Sequence, residues 1–146
     1  PVFWMGHSWF VAVCLLATLA VWVLRTDQWP GKPLRWLDAV GLSAYCAFGA
    51  LKALSHGVDP VPAAVMGVIT ATFGGVVRDV VAGQPSILMQ REIYVTAAIA
   101  GAAVTVLLAA GGNLNGWIAG GAGALIAFVI RAGALTRGWK LPIHPG

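Results

Sequence analysis

The chain has 146 residues, of which 59% are hydrophobic and only 10% charged. A water-soluble domain carries about 25% charged residues, and its helices need polar outer faces, so the composition excludes an ordinary soluble helical bundle. The net charge of +4 would suit nucleic acid, but the basic residues gather in the links between apolar stretches, which reports membrane topology and anionic headgroups instead.

Five stretches lack charge for long enough to matter: Ser8–Leu24, Ala39–Leu51, Val61–Val77, Ile93–Asn113 and Leu114–Ile130. A membrane helix needs about 20 mainly apolar residues. Ala39–Leu51 is short until Lys52 is allowed to snorkel, which carries that helix to about Ser55. The chain has no starting Met, and Pro1-Val2-Phe3-Trp4 lacks the basic region and cleavage site of a signal peptide, so the sequence reads as beginning in mid-protein. Trp4 and Trp9 sit where aromatic residues anchor at headgroup level. Cys14 and Cys46 lie in apolar segments without metal spacing and read as packed thiols.

Thr26–Leu37 is a polar link in which Pro30, Gly31 and Pro33 stop helices. Trp29 and Trp36 belong at the cytoplasmic interface on this layout. Asp38 suits an N-cap for the second helix. Gly41, Ala44, Ala47, Gly49 and Ala50 give that helix small faces for close packing. Gly57-Val58-Asp59-Pro60 is a compact turn into the third helix. In the fifth, Gly112, Gly116, Gly120 and Ala124 recur every four residues, a stripe for a helix contact within or between subunits.

If the five segments alternate across a bilayer, one side receives Arg25, Lys32, Arg35, Arg78, Arg91, Arg131, Arg137 and Lys140, and the other only Lys52. Eight against one places the basic side and the C-terminus in the cytoplasm. An internal repeat supports the layout. PVFWMGHSWFVAV from Pro1 matches PSILMQREIYVTA from Pro85 at Met5 and Met89, Phe10 and Tyr94, and Val11 and Val95. The two copies fall on opposite sides, and an odd number of segments per copy inverts the second. The same offset taken back from Asp38 falls before Pro1. The implied protein has inverted repeats of three helices plus a seventh, with about five helices present here. Inverted repeats belong to transporters and channels, with sites at broken helices near the midplane.

The third helix carries Gly74-Gly75, followed at once by Arg78-Asp79. A break at the glycines would free carbonyls near Thr70 and Ala71 for a cation, helped by the negative end of a half-helix dipole. Thr70, Gly74 and Arg78, and Thr72, Gly75 and Asp79, fall at helical spacing on one broad face. Charges within a membrane helix usually face a cavity or a partner. Two roles stay open for Arg78 and Asp79: lining a pathway, or marking the helix end with Arg91 or Glu92 as partners.

The stretches GGVVRD, PSILMQREIYVTAA and DAVGLSAYCAFGALKAL resemble the second repeat of the bacterial trimeric intracellular cation (TRIC) channel family, also described as the glycine-transporter or UPF0126 domain family. The likeness runs from Pro1 to about Ala134. It implies an all-α polytopic protein of the bacterial inner membrane, forming a homotrimer in which each subunit has its own K⁺- and Na⁺-permeable pore lined by glycine-kinked helices. The pathway residues it points to are Thr70, Thr72, Gly74, Gly75, Arg78 and Asp79, with Lys52, Arg91 and Glu92 as supporting charges. Residues 1–37 would end the first repeat, 38–110 form the second, 111–134 the final helix and 135–146 a cytoplasmic tail. No cofactor, resident metal or nucleic acid is expected; lipids and permeant monovalent cations are. The competing function is a secondary transporter of glycine or another small amino acid. An enzyme is disfavoured, because His7, His56 and His144 share no ligand spacing.

Overall fold

The computed structural model describes residues 9–23, 32–81, 83, 93–112 and 114–138. They form α1 (Trp9–Val23), α2 (Lys32–Ser55), α3 (Pro60–Val81), α4 (Val95–Val106), a π-helical turn that continues α4 over Leu107–Gly111, and α5 (Gly116–Arg137). The chain divides into two units, Pro1–Pro33 and Leu34–Gly146. The first contributes α1, a 15-residue apolar helix in which Thr18 returns its hydroxyl proton to the Cys14 carbonyl at 2.8 Å.

In the second unit, helices start and stop where Pro and Gly dictate. Pro33 lies in the first turn of α2, where no intrahelical N–H donor is required. The far end of α2 closes with a Schellman motif. Gly57 turns left-handed at φ 76°, its N–H bonds the Leu54 carbonyl at 3.0 Å, and the Val58 N–H bonds the Ala53 carbonyl at 3.2 Å. Lys52 sits in that last turn, where a cation suits the helix dipole. Pro60 then opens α3 at a position that tolerates its missing donor. Asn115 caps α5 by accepting from the Trp117 N–H at 3.2 Å, and left-handed Gly138 follows its end.

The interior is made of small side chains. In α3 the buried residues are Ala63, Gly67, Ala71, Gly75 and Asp79, one every four positions. In α4 they are Ala97, Ala98, Gly101, Ala102, Thr105 and Val106, and α5 contributes Ala119, Gly120, Gly123, Ala127, Arg131 and Ala134. Large apolar residues point outward: Phe48, Phe73, Trp117, Ile118 and Leu125 are all at least 60% exposed in the isolated chain. In water this would invert the hydrophobic effect, which favours burial of the largest apolar surfaces. In lipid it is the expected arrangement, because tails solvate large apolar side chains and helices associate through close backbone approach. Three helices, Leu34–Ser55, Pro60–Val81 and Gly116–Arg137, are long and apolar enough to cross a bilayer, while Val11–Ala20 and Val95–Gly111 are shorter apolar helices.

Glycines set the crossings. A Cβ on Gly67 would stand 2.5 Å from the Cys46 carbonyl and one on Gly49 would stand 2.8 Å from the Thr70 side chain, so α2 and α3 meet backbone to backbone. Gly101 of α4 opposes Gly123 of α5, with Cys46 of α2 against the same spot at 2.8 Å. Of the stripe Gly112, Gly116, Gly120 and Ala124, the glycines at 116 and 120 make a contact within the chain, and only Gly112 falls outside the helix. Gly112 lies before α5, and the close α4–α5 contact runs through Gly123 and Ala127, while Gly116 and Gly120 face Leu51.

Candidate functional site

Arg78 holds the charged site together. It lies in the last turn of α3, whose stripe of small residues ends at Asp79. Arg78 Nη1 donates to Asp38 Oδ1 of α2 at 2.9 Å, while Nε and Nη2 donate to Asp79 Oδ1 at 3.1 and 2.9 Å. The Arg78 side chain is 32% exposed, against 8% for Asp38 and 7% for Asp79. Tyr94 is buried just ahead of α4, and its hydroxyl and Asp38 Oδ1 both border Gly75. Arg131 of α5 is fully buried, with its guanidinium 5.0 Å from the Tyr94 ring centroid, a cation–π distance. Two carboxylates, two guanidinium groups and a phenol therefore converge from four elements. Isolated, each such charge costs several kcal/mol in a low-dielectric interior; mutual pairing offsets much of that.

The sequence-based expectations divide at this cluster. Arg78 and Asp79 are brought together, and Asp38 of α2 is a partner across the helices; Arg91 and Glu92, the partners considered from sequence, lie outside the described residues. Asp38 is not an N-cap: α2 begins at Lys32, so Asp38 sits inside the helix and points to Arg78. Arg131, counted from sequence among the basic-side charges, is fully buried inside α5, which continues to Arg137.

Helical structure passes through Gly74-Gly75 without interruption, so the break expected there does not occur. The Thr70 and Thr72 hydroxyls are used within the helix, donating to the Met66 and Val68 carbonyls at 2.7 and 2.9 Å. The two glycines face different surroundings. A Cβ on Gly74 meets nothing within 4 Å, whereas one on Gly75 would lie 2.7 Å from the Tyr94 hydroxyl and 3.7 Å from Asp38 Oδ1. Gly75→Ala should therefore disturb the cluster and Gly74→Ala should not. The contrast is readable as a loss of thermal stability, measured by unfolding in detergent, confined to the Gly75 variant.

Lys52 and Thr70 lie elsewhere. They line a cavity of about 370 Å³ between α2 and α3 together with Phe48, Gly49, His56 and Met66. Arg78 follows Thr70 by eight positions on the same helix, or about 12 Å at 1.5 Å per residue. The expected residues thus form two groups along α3: an outward cavity with Lys52 and Thr70, and the buried cluster with Gly75 and Asp79. Sequence reasoning assigned Asp38, Tyr94 and Arg131 to other roles. A charge within an apolar helical run is the signal that marks Asp38 and Arg131, once the helix bounds are known.

An all-helical unit with small residues inside, large apolar residues outside and paired charges between its helices defines a polytopic membrane protein. Residues 35–110 match the family model described as Glycine transporter. The chain is 33% identical over 144 residues to the UPF0126 inner membrane protein YadS of Escherichia coli strain K12, covering 97% of this chain and 70% of that relative. It is also 33% identical to a UPF0126 membrane protein of Vibrio cholerae, covering 97% of this chain and 60% of that one. Among solved structures it resembles the TRIC trimeric intracellular cation channel orthologue from Rhodobacter sphaeroides, with 44% identity and a TM-score of 0.83 over 95% of this chain and 72% of that chain. A second structure, from work on conductance through TRIC cation channels, matches at 32% identity and TM-score 0.75 over 90% of this chain and 64% of that one. The chain belongs to the UPF0126 glycine-transporter-domain family, whose fold it shares with TRIC cation channels.

Proposed function

We propose that this chain is a subunit of a cation channel that passes K⁺ and Na⁺, each subunit of a homotrimer carrying its own pathway. The observation that carries this is the 44% identity and TM-score of 0.83 to a TRIC channel across 95% of the chain. The interior chemistry is compatible with it. Ion conduction needs polar groups that bind weakly enough to release. In this proposal α3 lines the path with Thr70, Thr72, Gly74 and Gly75, Lys52 flanks one end, and Arg78 with Asp79 stands at the other. Arg91 and Glu92 add supporting charge beyond α3.

The proposal extends to architecture. Residues 38–110 form the second of two inverted repeats, 1–37 close the first, 111–134 are the final spanning helix and 135–146 a tail on the cytoplasmic face of a bacterial plasma membrane. The protein acts in transport and is not an enzyme. A second reading has one specific support, the family description itself: a glycine carrier in which Arg78 and Asp79 hold a carboxylate and an amine. Planar-bilayer recording of the purified protein in asymmetric KCl, with and without glycine, separates the two. Cation-selective unitary currents indifferent to glycine are the expected result. Saturable glycine uptake into liposomes without unitary current would replace the channel by the carrier.

A further inference from the structure

We propose that the Arg78 guanidinium is a built-in occupant of a two-carboxylate cation site formed by Asp38 and Asp79, and that by filling it Arg78 keeps divalent ions out. The selectivity part of this rests on the channel reading; the site itself does not.

One planar guanidinium binds both acids, with Nη1 on Asp38 Oδ1 at 2.9 Å and Nε and Nη2 on Asp79 Oδ1 at 3.1 and 2.9 Å. The carboxylate oxygens therefore converge on a single position from two helices. Both acids are more than nine-tenths buried at the side chain. Asp38 Oδ2 is fully buried and accepts no hydrogen bond among the described residues, so this carboxylate retains unused acceptor capacity beside the bound cation. Tyr94 and Gly75 close the site from α4 and α3. The Tyr94 hydroxyl and Asp38 Oδ1 both border Gly75, which has no Cβ to intrude on them.

Two convergent carboxylates with a spare oxygen suit a hard divalent cation, which binds such oxygens at about 2.3–2.6 Å in the case of Ca²⁺. A tethered guanidinium has two advantages over an ion there. It stays charged at every physiological pH, and its planar fork matches carboxylates. It also cannot diffuse away, so it holds α2 to α3 while keeping the local charge close to balance. In a monovalent pathway this matters because a bare two-acid site would trap divalent ions, and conduction needs binding weak enough to let ions leave.

The test is Ca²⁺ titration of the full chain in detergent, followed by calorimetry. Wild type is expected to bind no Ca²⁺ at this site. Arg78→Gln is expected to gain one site per chain, with a dissociation constant of about 10⁻⁴–10⁻³ M, as in weak calcium modules. The double variant Arg78→Gln/Asp38→Asn should lose that site again by tenfold or more. Arg78→Lys retains a charge but offers a point donor in place of a fork, so it should show weaker Ca²⁺ binding than Arg78→Gln and more than wild type. It decides the matter if the Gln variant does not fold. No gain of Ca²⁺ binding in the folded position-78 variants overturns the proposal, as does wild-type binding equal to theirs. In bilayers, Ca²⁺ should block Arg78→Gln currents and spare wild type. If wild type carries no current, the channel reading fails, while the calorimetric result still decides the site.

Discussion

Gly123→Val should cost the protein its α4–α5 contact. A Cβ at Gly123 would collide with the Thr105 hydroxyl and stand 2.5 Å from the Gly101 carbonyl. Neither neighbour can give way easily. The Thr105 hydroxyl is fully buried and donates to the Gly101 carbonyl at 2.9 Å, and the other obstacle is backbone. Adding methyl groups to a packed interior costs about 1–3 kcal/mol and occasionally more. With two fixed obstacles the expected loss lies at or above the top of that range. Gly121→Val is the control, because a Cβ there meets nothing within 4 Å and faces outward. Thermal unfolding in detergent should show a large fall in midpoint for position 123 and little change for position 121. Equal midpoints would mean that α4 and α5 do not meet at Gly101 and Gly123.

Asp38→Asn should give the second large effect, since one buried carboxylate ties α2 to Arg78 of α3. It accepts from Arg78 at 2.9 Å, and it borders Gly75 together with the Tyr94 hydroxyl. Neutralising it leaves Arg78 with Asp79 as its remaining carboxylate among these contacts. Removing a partner from a buried charged hydrogen bond costs about 1–3 kcal/mol; the one-third exposure of Arg78 puts the expected loss toward the lower end. A double-mutant cycle with Arg78→Gln isolates the pair. Residues in direct contact typically show a coupling of about 0.5–3 kcal/mol, and a coupling inside that range is expected. Additive losses would mean that Asp38 does not act through Arg78. In bilayers the same variant should reduce cation current, because Arg78 then keeps a larger share of its positive charge beside the path.

These two positions show what could be read in the chain and what could not. The bilayer class was legible because lipid imposes its demand on composition: long uncharged runs, few charges and links rich in Pro and Gly. The turn at Gly57-Val58-Asp59-Pro60 was legible for a local reason, since left-handed Gly57 and helix-opening Pro60 need no distant partner. Arg78-Asp79 stood out because charge in an apolar run is costly wherever the helix points.

The inward face of each helix was decided only by tertiary structure. In water, polarity separates a buried face from a solvated one. In lipid both faces are apolar, and the difference between inside and outside becomes one of side-chain size and backbone proximity. Spacing placed Thr70, Gly74 and Arg78 with Thr72, Gly75 and Asp79 on one broad face without separating the roles of Gly74 and Gly75. Asp38 looked like a helix cap because its partner lies 40 positions away. Arg131 was read only as one of the basic-side charges because an apolar run ended before it, although α5 goes on to Arg137 and buries it. Composition and local propensity determined that this chain enters a membrane as helices. Packing of four elements around Arg78 decided which of its few charges face one another, because that depends on contacts between residues far apart in the chain.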